Sequence, residues 1–232
     1  MVQSSTLVKM KRVLQIIHSE VADVSLVSKF FQKKHQSSTI FYKNLHFLTK
    51  KDIDQFDLFI FHGGKQSANS KSKAILYEYK FLNYIIKKNK PIVGICLGAQ
   101  LIAKIYGSKI SKSKNKLFEC GYKKNLKKNN KVFKKNLTFL QFHTEGISYN
   151  KNMELLAKGI LYEVDSFKIK KRDIYGFQFH PEVTSKTIKR WHDIVKIKYP
   201  YIDNLNKIMK DFKKHQFENY DWFQSFLLKL LK

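Results

Sequence analysis

The chain contains 232 residues, with 45 Lys or Arg against 18 Asp or Glu, and its formal net charge is +27. Because 43% of the residues are hydrophobic and 14% are aromatic, the chain can bury a sizeable core, which excludes wholesale disorder. No apolar run approaches the roughly 18 residues of a membrane-spanning helix, and the run from Val13 to Ile17 is too short for a signal-peptide core. We therefore expect a soluble cytoplasmic protein that does not bind membranes.

The positive charge comes almost entirely from lysine. Only Arg12, Arg172 and Arg190 are arginine, and the other 42 basic residues are lysines. Proteins that grip phosphate groups favour arginine, because its planar guanidinium binds them bidentately. Gly and Pro, which have GC-rich codons, are scarce, whereas Lys, Asn, Ile, Phe and Tyr, which have AT-rich codons, are abundant. Genomic composition thus accounts for much of the charge, and a nucleic-acid partner is disfavoured.

The first half of the chain alternates between two kinds of segment. After a predicted flexible lead at residues 1–11, short β-branched or aromatic runs alternate with longer segments of helical spacing. The predicted strands are RVLQII, STIFY, DLFIF and PIVGIC. The predicted helices cover residues 21–31, 74–88 and 101–106. Alternating strands and helices form βαβ units, so we predict an α/β fold whose mostly parallel sheet carries helices on both faces.

The second half of the chain is less regular. Lys- and Asn-rich loops with short strand candidates at residues 132–133 and 137–142 predict an antiparallel excursion at the edge of the sheet. Residues 174–179 then form a predicted buried strand, and residues 185–195 a predicted helix.

The C-terminal segment, residues 202–231, favours one or two amphipathic helices. We therefore expect one α/β domain over residues 12–198 and a C-terminal helical extension over residues 199–232. An apolar face of this extension comprises Trp222, Phe223, Phe226 and Leu230. Two interpretations are open: a docking face for a partner, or packing against the domain's own core or a homodimer seam, which we favour.

The segment GICLGAQ, residues 94–100, follows a predicted strand and precedes a helix. Glycines two positions either side of Cys96 allow the sharp turn of a nucleophile elbow, in which side chains at those positions would collide. The turn places the sulfur at the carboxyl end of the sheet and at a helix N-terminus, where the thiolate is favoured. A small buried hydrophobic residue is the alternative, but this context favours a catalytic Cys96. Cys120 and Cys96 are both expected to be free thiols.

A catalytic cysteine needs a base, and the base needs a group that orients it. In the segment YGFQFHPE, residues 175–182, an apolar run ends at His180, and Pro181 stops the strand there. Glu182 can turn back to accept a hydrogen bond from the far nitrogen of the ring. This combination favours a catalytic His180 over a structural one. No cluster of His, Cys, Asp and Glu has the spacing of metal ligands, so neither a metal nor another cofactor is expected.

Together, GICLGAQ and GFQFHPEVT resemble the signature motifs of the class I glutamine amidotransferases, in particular the stand-alone group related to the amidotransferase domain of GMP synthase. The likeness covers residues 12–195 and, more weakly, the C-terminal helices. It implies a flavodoxin-like fold and a triad of Cys96, His180 and Glu182. It also implies hydrolysis of the side-chain amide of glutamine through a γ-glutamyl thioester, with ammonia passed to an acceptor.

Further residues follow from this chemistry. The oxyanion formed by thiolate attack needs preorganised donors, which we assign to the backbone N–H groups of Leu97 and Gly64. Gly63 and Gly64 allow close backbone approach after the third predicted strand, and we include Gly63 among the substrate-binding residues. In the family, the glutamine of the elbow helix lines the substrate pocket, and this position is Gln100.

Two segments depart from the family pattern. Lys65 stands where the family's loop commonly has proline after two glycines, so the oxyanion loop is expected to be less rigid or differently shaped. Residues 142–146, FHTEG, replace a Trp-His-Gly-Asp type segment that helps to seat the α-amino and carboxylate groups of the substrate. We assign His143 to substrate binding, with a surface pair between His143 and Glu145 as the alternative. Free glutamine is the favoured substrate, and another γ-glutamyl compound is the alternative.

Three functions are compatible with these observations. The first is an amidotransferase or glutaminase. Because the sequence has no GxxxxGK[ST] phosphate loop and the segment after Val195 is too short for a synthetase domain, we expect the ammonia acceptor on a separate synthetase subunit. The second is a γ-glutamyl hydrolase that acts on a conjugate or peptide. The third is a basic polyanion-binding module on an inherited fold, which is disfavoured because the lysines are scattered and no nucleic-acid-reading motif accompanies them.

Overall fold

The computed structural model describes residues 10–19, 22, 24–32, 35–128 and 131–232. Most of the predicted flexible lead, residues 1–9, lies outside the described residues. The first elements along the chain are β1 (Arg12–Ile17), α1 (Ser25–Phe31), β2 (Gln36–Phe41), a 3-10 helix (Tyr42–Phe47), α2 (Lys50–Asp54), β3 (Leu58–Phe61), α3 (Lys73–Lys87), β4 (Ile92–Ile95) and α4 (Leu97–Ile105). They are followed by β5 (Ile110–Lys112), β6 (Glu119–Lys124), β7 (Leu126–Lys127), β8 (Thr138–His143), β9 (Glu145–Ile147), β10 (Met153–Lys158), β11 (Ser166–Ile169), β12 (Ile174–Phe177), α5 (Ser185–Val195) and α6 (Leu205–Leu230).

An eight-stranded sheet in the order β2-β1-β3-β4-β12-β11-β10-β7 forms the centre of the molecule. The first five strands pair in parallel, and β11, β10 and β7 continue the sheet antiparallel. The parallel part has the strand order of a flavodoxin-like fold. Two separate antiparallel pairs, β5 with β9 and β6 with β8, lie beside the main sheet. The predicted fold class, a mostly parallel sheet with an antiparallel excursion, is confirmed.

Side chains along the central strands alternate between the two faces of the sheet. Phe59 and Phe61 of β3 pack with α3 and α4, whereas Leu58 and Ile60 pack with α1 and α6. All four side chains are fully buried, as expected for a parallel strand covered on both faces. Burying a side chain of this size contributes about 1.5–3 kcal/mol, so this short strand is a main source of core stability.

The C-terminal segment forms one helix of 26 residues, α6, and not two. Phe223 and Phe226 are buried in the same cluster as Val93 and Ile95 of β4, and Trp222 packs against it. The expectation that these aromatic residues cover the domain's own core is therefore confirmed. None of the helices in the described part of the chain is long and apolar enough to cross a membrane.

Several local expectations differ from the structure. Residues 132–133 form no strand; Phe133 is instead fully buried and stacks on Trp222 at a centroid distance of 4.9 Å, so packing against α6 explains its apolar character. The Lys-rich segment expected to be a loop contains β6, because its first residues turn inward against β8. Helix α4 begins at Leu97, four residues earlier than predicted.

Candidate active site

The turn between β4 and α4 places Cys96 at the carboxyl end of the sheet. Cys96 has φ 49° and ψ −104°, a left-handed conformation that side-chain-bearing residues rarely adopt. Two backbone hydrogen bonds hold it: Cys96 N–H donates to the Phe177 carbonyl at 2.7 Å, and Gln100 N–H donates to the Cys96 carbonyl at 3.0 Å. The sulfur-bearing residue is thus fixed between β12 and the first turn of α4, as in a nucleophile elbow.

The two glycines of the elbow are required by space. A Cβ at Gly94 would lie 2.6 Å from the backbone nitrogen of Ala99, and a Cβ at Gly98 would lie 2.2 Å from the carbonyl oxygen of Phe61. Both contacts are with backbone atoms, which side-chain rotation cannot relieve. The expectation that side chains at these positions would collide is confirmed.

His180 connects Cys96 to Glu182. Its Nδ1 lies 2.8 Å from Glu182 Oε1, and its ring lies near enough to Cys96 for the charge of the sulfur to act on it. The backbone N–H of His180 donates to the Leu140 carbonyl at 2.9 Å, which anchors the residue beside β8. Cys96, His180 and Glu182 are only 6%, 3% and 5% exposed. The structure therefore brings together the three residues that the sequence assigned to a triad.

The charges around His180 favour its protonated form. Burial disfavours the imidazolium, but the negative charges of Glu182 and Cys96 and the hydrogen bonds to both outweigh burial and raise the pKa of His180 to about 10. A protonated ring beside a sulfur nucleophile can give its proton to a leaving group, which is the role of a general acid.

The loop after β3 lies against the triad. A Cβ at Gly63 would lie 2.7 Å from Cε1 of His180 and 3.4 Å from Cβ of Cys96, so only glycine fits there. Gly64 also lines the cavity, and Leu97 directly follows Cys96. This placement is compatible with the predicted oxyanion-hole roles of the Gly64 and Leu97 N–H groups. Those roles stay predictions.

The loop is braced by residues that the sequence analysis missed. Gln66 Nε2 donates to the His18 carbonyl at 3.0 Å and to the Tyr42 hydroxyl at 3.3 Å, while Lys65 is exposed and also lines the cavity. Behind the loop, His18 Nε2 lies 2.8 Å from Glu78 Oε1, with both side chains fully buried. No sequence signal marks these contacts, because they join segments up to 60 residues apart.

A cavity of about 510 Å³ opens beside the triad. Gln100, His143 and Glu145 line it, as do Gly63 and Gly64. Gln100 Nε2 donates to the Glu145 carbonyl at 2.8 Å. The structure thus places every predicted substrate-binding residue at the cavity, although their contacts with a substrate stay predictions.

His143 is a buried wall residue. Its Nδ1 bonds the Glu145 carbonyl at 3.0 Å and its Nε2 bonds Gln141 Oε1 at 2.9 Å. The ring is only 5% exposed, so the alternative of a surface pair with Glu145 was wrong. Because both ring nitrogens have partners, His143 supports the segment that carries Glu145.

Part of the cavity has an aromatic wall formed by Phe118, Phe142, Trp191 and Tyr199. Trp191 meets the His180 ring edge to face at 4.8 Å, and Phe118 contacts both Phe142 and Tyr199 at centroid distances of 4.9 Å and 4.8 Å. The sequence analysis missed this wall because its members come from β8, α5 and two connecting segments, which no local pattern joins.

A buried cysteine, histidine and glutamate lie together at the carboxyl end of a flavodoxin-like sheet, an arrangement typical of hydrolytic enzymes with a cysteine nucleophile. Residues 11–192 match the family model described as glutamine amidotransferase class-I. The chain belongs to this family, and both the predicted resemblance and the predicted class of enzyme are confirmed.

Similar proteins agree with this assignment. A glutamine amidotransferase structure from Thermotoga maritima superposes with a TM-score of 0.85 at 25% identity, covering 96% of this chain and 98% of that one. A glutamine amidotransferase-like protein of Acanthamoeba polyphaga mimivirus is 30% identical over 168 residues, 69% of this chain and 75% of the relative. One of the subunits of the glutamine-hydrolysing GMP synthase of Methanococcus aeolicus is 38% identical over 107 residues, 44% of this chain. The match spans only 56% of that archaeal protein.

Proposed function

We propose that this protein hydrolyses the side-chain amide of glutamine through a γ-glutamyl thioester on Cys96. The observation that carries the proposal is the buried group of Cys96, His180 and Glu182, with Cys96 and His180 lining one cavity together with two glycines. The proposed reaction is that of the family, and residues of this chain carry its steps.

Each step has a residue to carry it. The Cys96 thiolate attacks the amide carbon, and the N–H groups of Leu97 and Gly64 stabilise the oxyanion. When the C–N bond breaks, His180 protonates the departing ammonia and leaves the γ-glutamyl thioester. His180 then takes a proton from water, whose oxygen attacks the thioester to release glutamate and regenerate the thiolate. Overall, glutamine and water give glutamate and ammonia.

We further propose that the ammonia goes to an acceptor on a separate synthetase chain. The archaeal relatives carry the name of one of the subunits of GMP synthase, which supports a division of the reaction between two chains. The matched region is about half of those relatives, so the partner's identity stays a proposal. We also propose a cytoplasmic location and a homodimer.

Radiolabelled glutamine tests the reaction directly. We expect glutamate and ammonia in equal amounts, and an acid-stable label on Cys96 when the reaction is quenched during turnover. Mass spectrometry of the labelled peptide identifies the modified residue. Turnover that leaves no label on Cys96 at any quench time, or a label on another residue, would contradict the thioester.

A γ-glutamyl hydrolase is a second candidate, favoured by the aromatic wall. Phe118, Phe142 and Tyr199 extend the cavity beyond the triad, where a leaving group larger than ammonia could lie. A panel of γ-glutamyl amides with leaving groups from ammonia to an aromatic amine separates the candidates. If glutamine is the substrate, we expect kcat/KM to be highest for ammonia as the leaving group; a higher value for aromatic amines would identify a hydrolase.

A further inference from the structure

A row of buried polar side chains runs from the cavity wall into the protein. Gln141 Nε2 donates to Asp165 Oδ1 at 2.7 Å, Gln141 Oε1 lies 2.9 Å from Nε2 of His143, and Nδ1 of His143 lies 3.0 Å from the Glu145 carbonyl. His143, Gln141 and Asp165 are 5%, 3% and 2% exposed. His143 and Glu145 line the cavity, whereas Gln141 and Asp165 lie behind it. This relay, Asp165–Gln141–His143, is not part of the triad.

The hydrogen atoms of the relay cannot all be placed if His143 is neutral and Asp165 is ionised. The Glu145 carbonyl accepts only, so Nδ1 of His143 must carry a proton. With the Gln141 oxygen facing Nε2, this nitrogen needs a second proton, which makes His143 an imidazolium. With the Gln141 amide turned over, its NH₂ group donates to Nε2 and its oxygen faces Asp165, which must then be protonated. Each complete arrangement holds one additional proton.

The surroundings place this proton on Asp165. Burial, followed by the positive charge of His180, lowers the pKa of His143 to about 3, although the Glu145 carbonyl opposes the shift. Burial also raises the pKa of Asp165 to about 7, with the charge of Glu119 adding to the effect and the bond to Gln141 opposing it.

The other titratable groups near the relay lie around its His143 end. Glu119 Oε2 is 3.5 Å from Nε2 of His143, and burial raises the pKa of this carboxyl against the opposing charge of Lys123. The ring of Tyr162 is 5.4 Å from that of His143, and its hydroxyl donates to the Thr144 carbonyl. Neither Glu119 nor Tyr162 supplies the proton that the oxygen of Gln141 needs, so Asp165 is its source.

We propose that Asp165 holds a structural proton which, through Gln141, fixes the ring of His143 and the position of Glu145 in the cavity wall. Asp165 is then a positioning residue for substrate binding, an assignment that rests on the proposed function. When the proton leaves, Gln141 turns its NH₂ group to the carboxylate, and its oxygen faces the lone pair of His143 Nε2. His143 must then give up its bond either to Gln141 or to Glu145, and the segment that carries Glu145 loosens.

The variant Asp165→Asn tests the proposal, because an amide imitates the protonated acid at every pH. The quantity to measure is the KM of the wild type for glutamine divided by the KM of Asp165→Asn. We expect this ratio to rise about tenfold between about pH 5.5 and about pH 8.5, while the corresponding ratio of kcat values stays constant. Gln141→Met keeps Asp165 buried but breaks the relay, so its KM should lack this pH dependence. Asp173→Asn, at an exposed carboxylate, is the matched control and should behave as the wild type.

Equilibrium unfolding provides a second readout that needs no turnover. Since the native pKa of Asp165, about 7, lies above the ordinary value of 3.8, its stabilising contribution is complete below pH 3.8 and is lost as the pH rises to about 7. We expect this loss in the wild type and in Gln141→Met, but not in Asp165→Asn. Parallel stability curves for the wild type and Asp165→Asn would overturn the structural proton.

An equal pH dependence of KM in the wild type and in Asp165→Asn would overturn the proposed effect on substrate binding. If no protein turns glutamine over, the proposed function fails, and calorimetric binding of glutamine to Cys96→Ala, with and without Asp165→Asn, decides the relay instead. Binding whose pH dependence is unchanged by Asp165→Asn, or no binding at all, would then overturn the role of Asp165 in substrate affinity.

Discussion

Replacing Cys96 with alanine is expected to reduce glutamine hydrolysis by about 10⁴-fold or more, because no other group can form the thioester. Stability should change little, since Cys96 is a small side chain at the edge of the cavity. Initial rates of glutamate formation measure the first effect, and urea-induced unfolding measures the second.

Cys120→Ala provides the matched control. Cys120 is the other buried thiol; it lies on β6 and does not line the cavity. Burial, aided by the charge of Asp203, raises the pKa of Cys120 to about 12, so this thiol is unreactive at neutral pH. Activity should therefore survive in Cys120→Ala. An unchanged rate in Cys96→Ala, or a comparable loss in both variants, would contradict the assignment of the nucleophile.

Gly98→Ala is expected to destabilise the fold by about 3 kcal/mol or more, the upper range for an overpacked core position. The added Cβ would lie 2.2 Å from the Phe61 carbonyl oxygen and 2.7 Å from the Phe61 Cβ, so α4 would have to move away from β3. This movement displaces Cys96 as well, and activity should fall with stability. The free energy of unfolding from urea titration, together with the glutaminase rate, tests both effects.

Gly107→Ala separates the effect of space from that of backbone conformation. Nothing lies within 4 Å of a Cβ built at Gly107, but its φ is +99°, which disfavours alanine. We expect a loss of about 1–2 kcal/mol there and no change in kcat. A smaller destabilisation for Gly98→Ala than for Gly107→Ala would mean that α4 does not need to approach β3 so closely.

The sequence was informative wherever local geometry determined the outcome. A glycine on each side of Cys96 predicts a turn because the collision involves atoms only a few residues away or on the adjacent strand. The connection of His180 to Glu182 is equally local, since two residues separate them. The alternation of short apolar runs, such as those of β3 and β4, with segments of helical spacing also predicted the parallel sheet.

The remaining features depend on contacts between distant segments. Trp191 meets the His180 ring only because α5 packs beside the cavity, and composition alone does not reveal that packing. Likewise, Asp165 is buried because Gln141 of β8, Ala157 of β10 and Gln178 after β12 all bond it, and these segments are distant in the sequence. The region around β6 is rich in lysine and its pattern indicates a loop, yet pairing with β8 makes residues 119–124 a strand.

The packing of α6 has a consequence for how the chain is made. Val93 and Ile95, on the strand that leads to the nucleophile, are covered by Phe223, Phe226 and Leu227, about 130 residues later. During synthesis this face of the sheet stays partly uncovered until α6 has left the ribosome, so a growing chain presents a hydrophobic surface that favours aggregation or chaperone binding. The elbow thus acquires its complete hydrophobic support only after α6 has been synthesised.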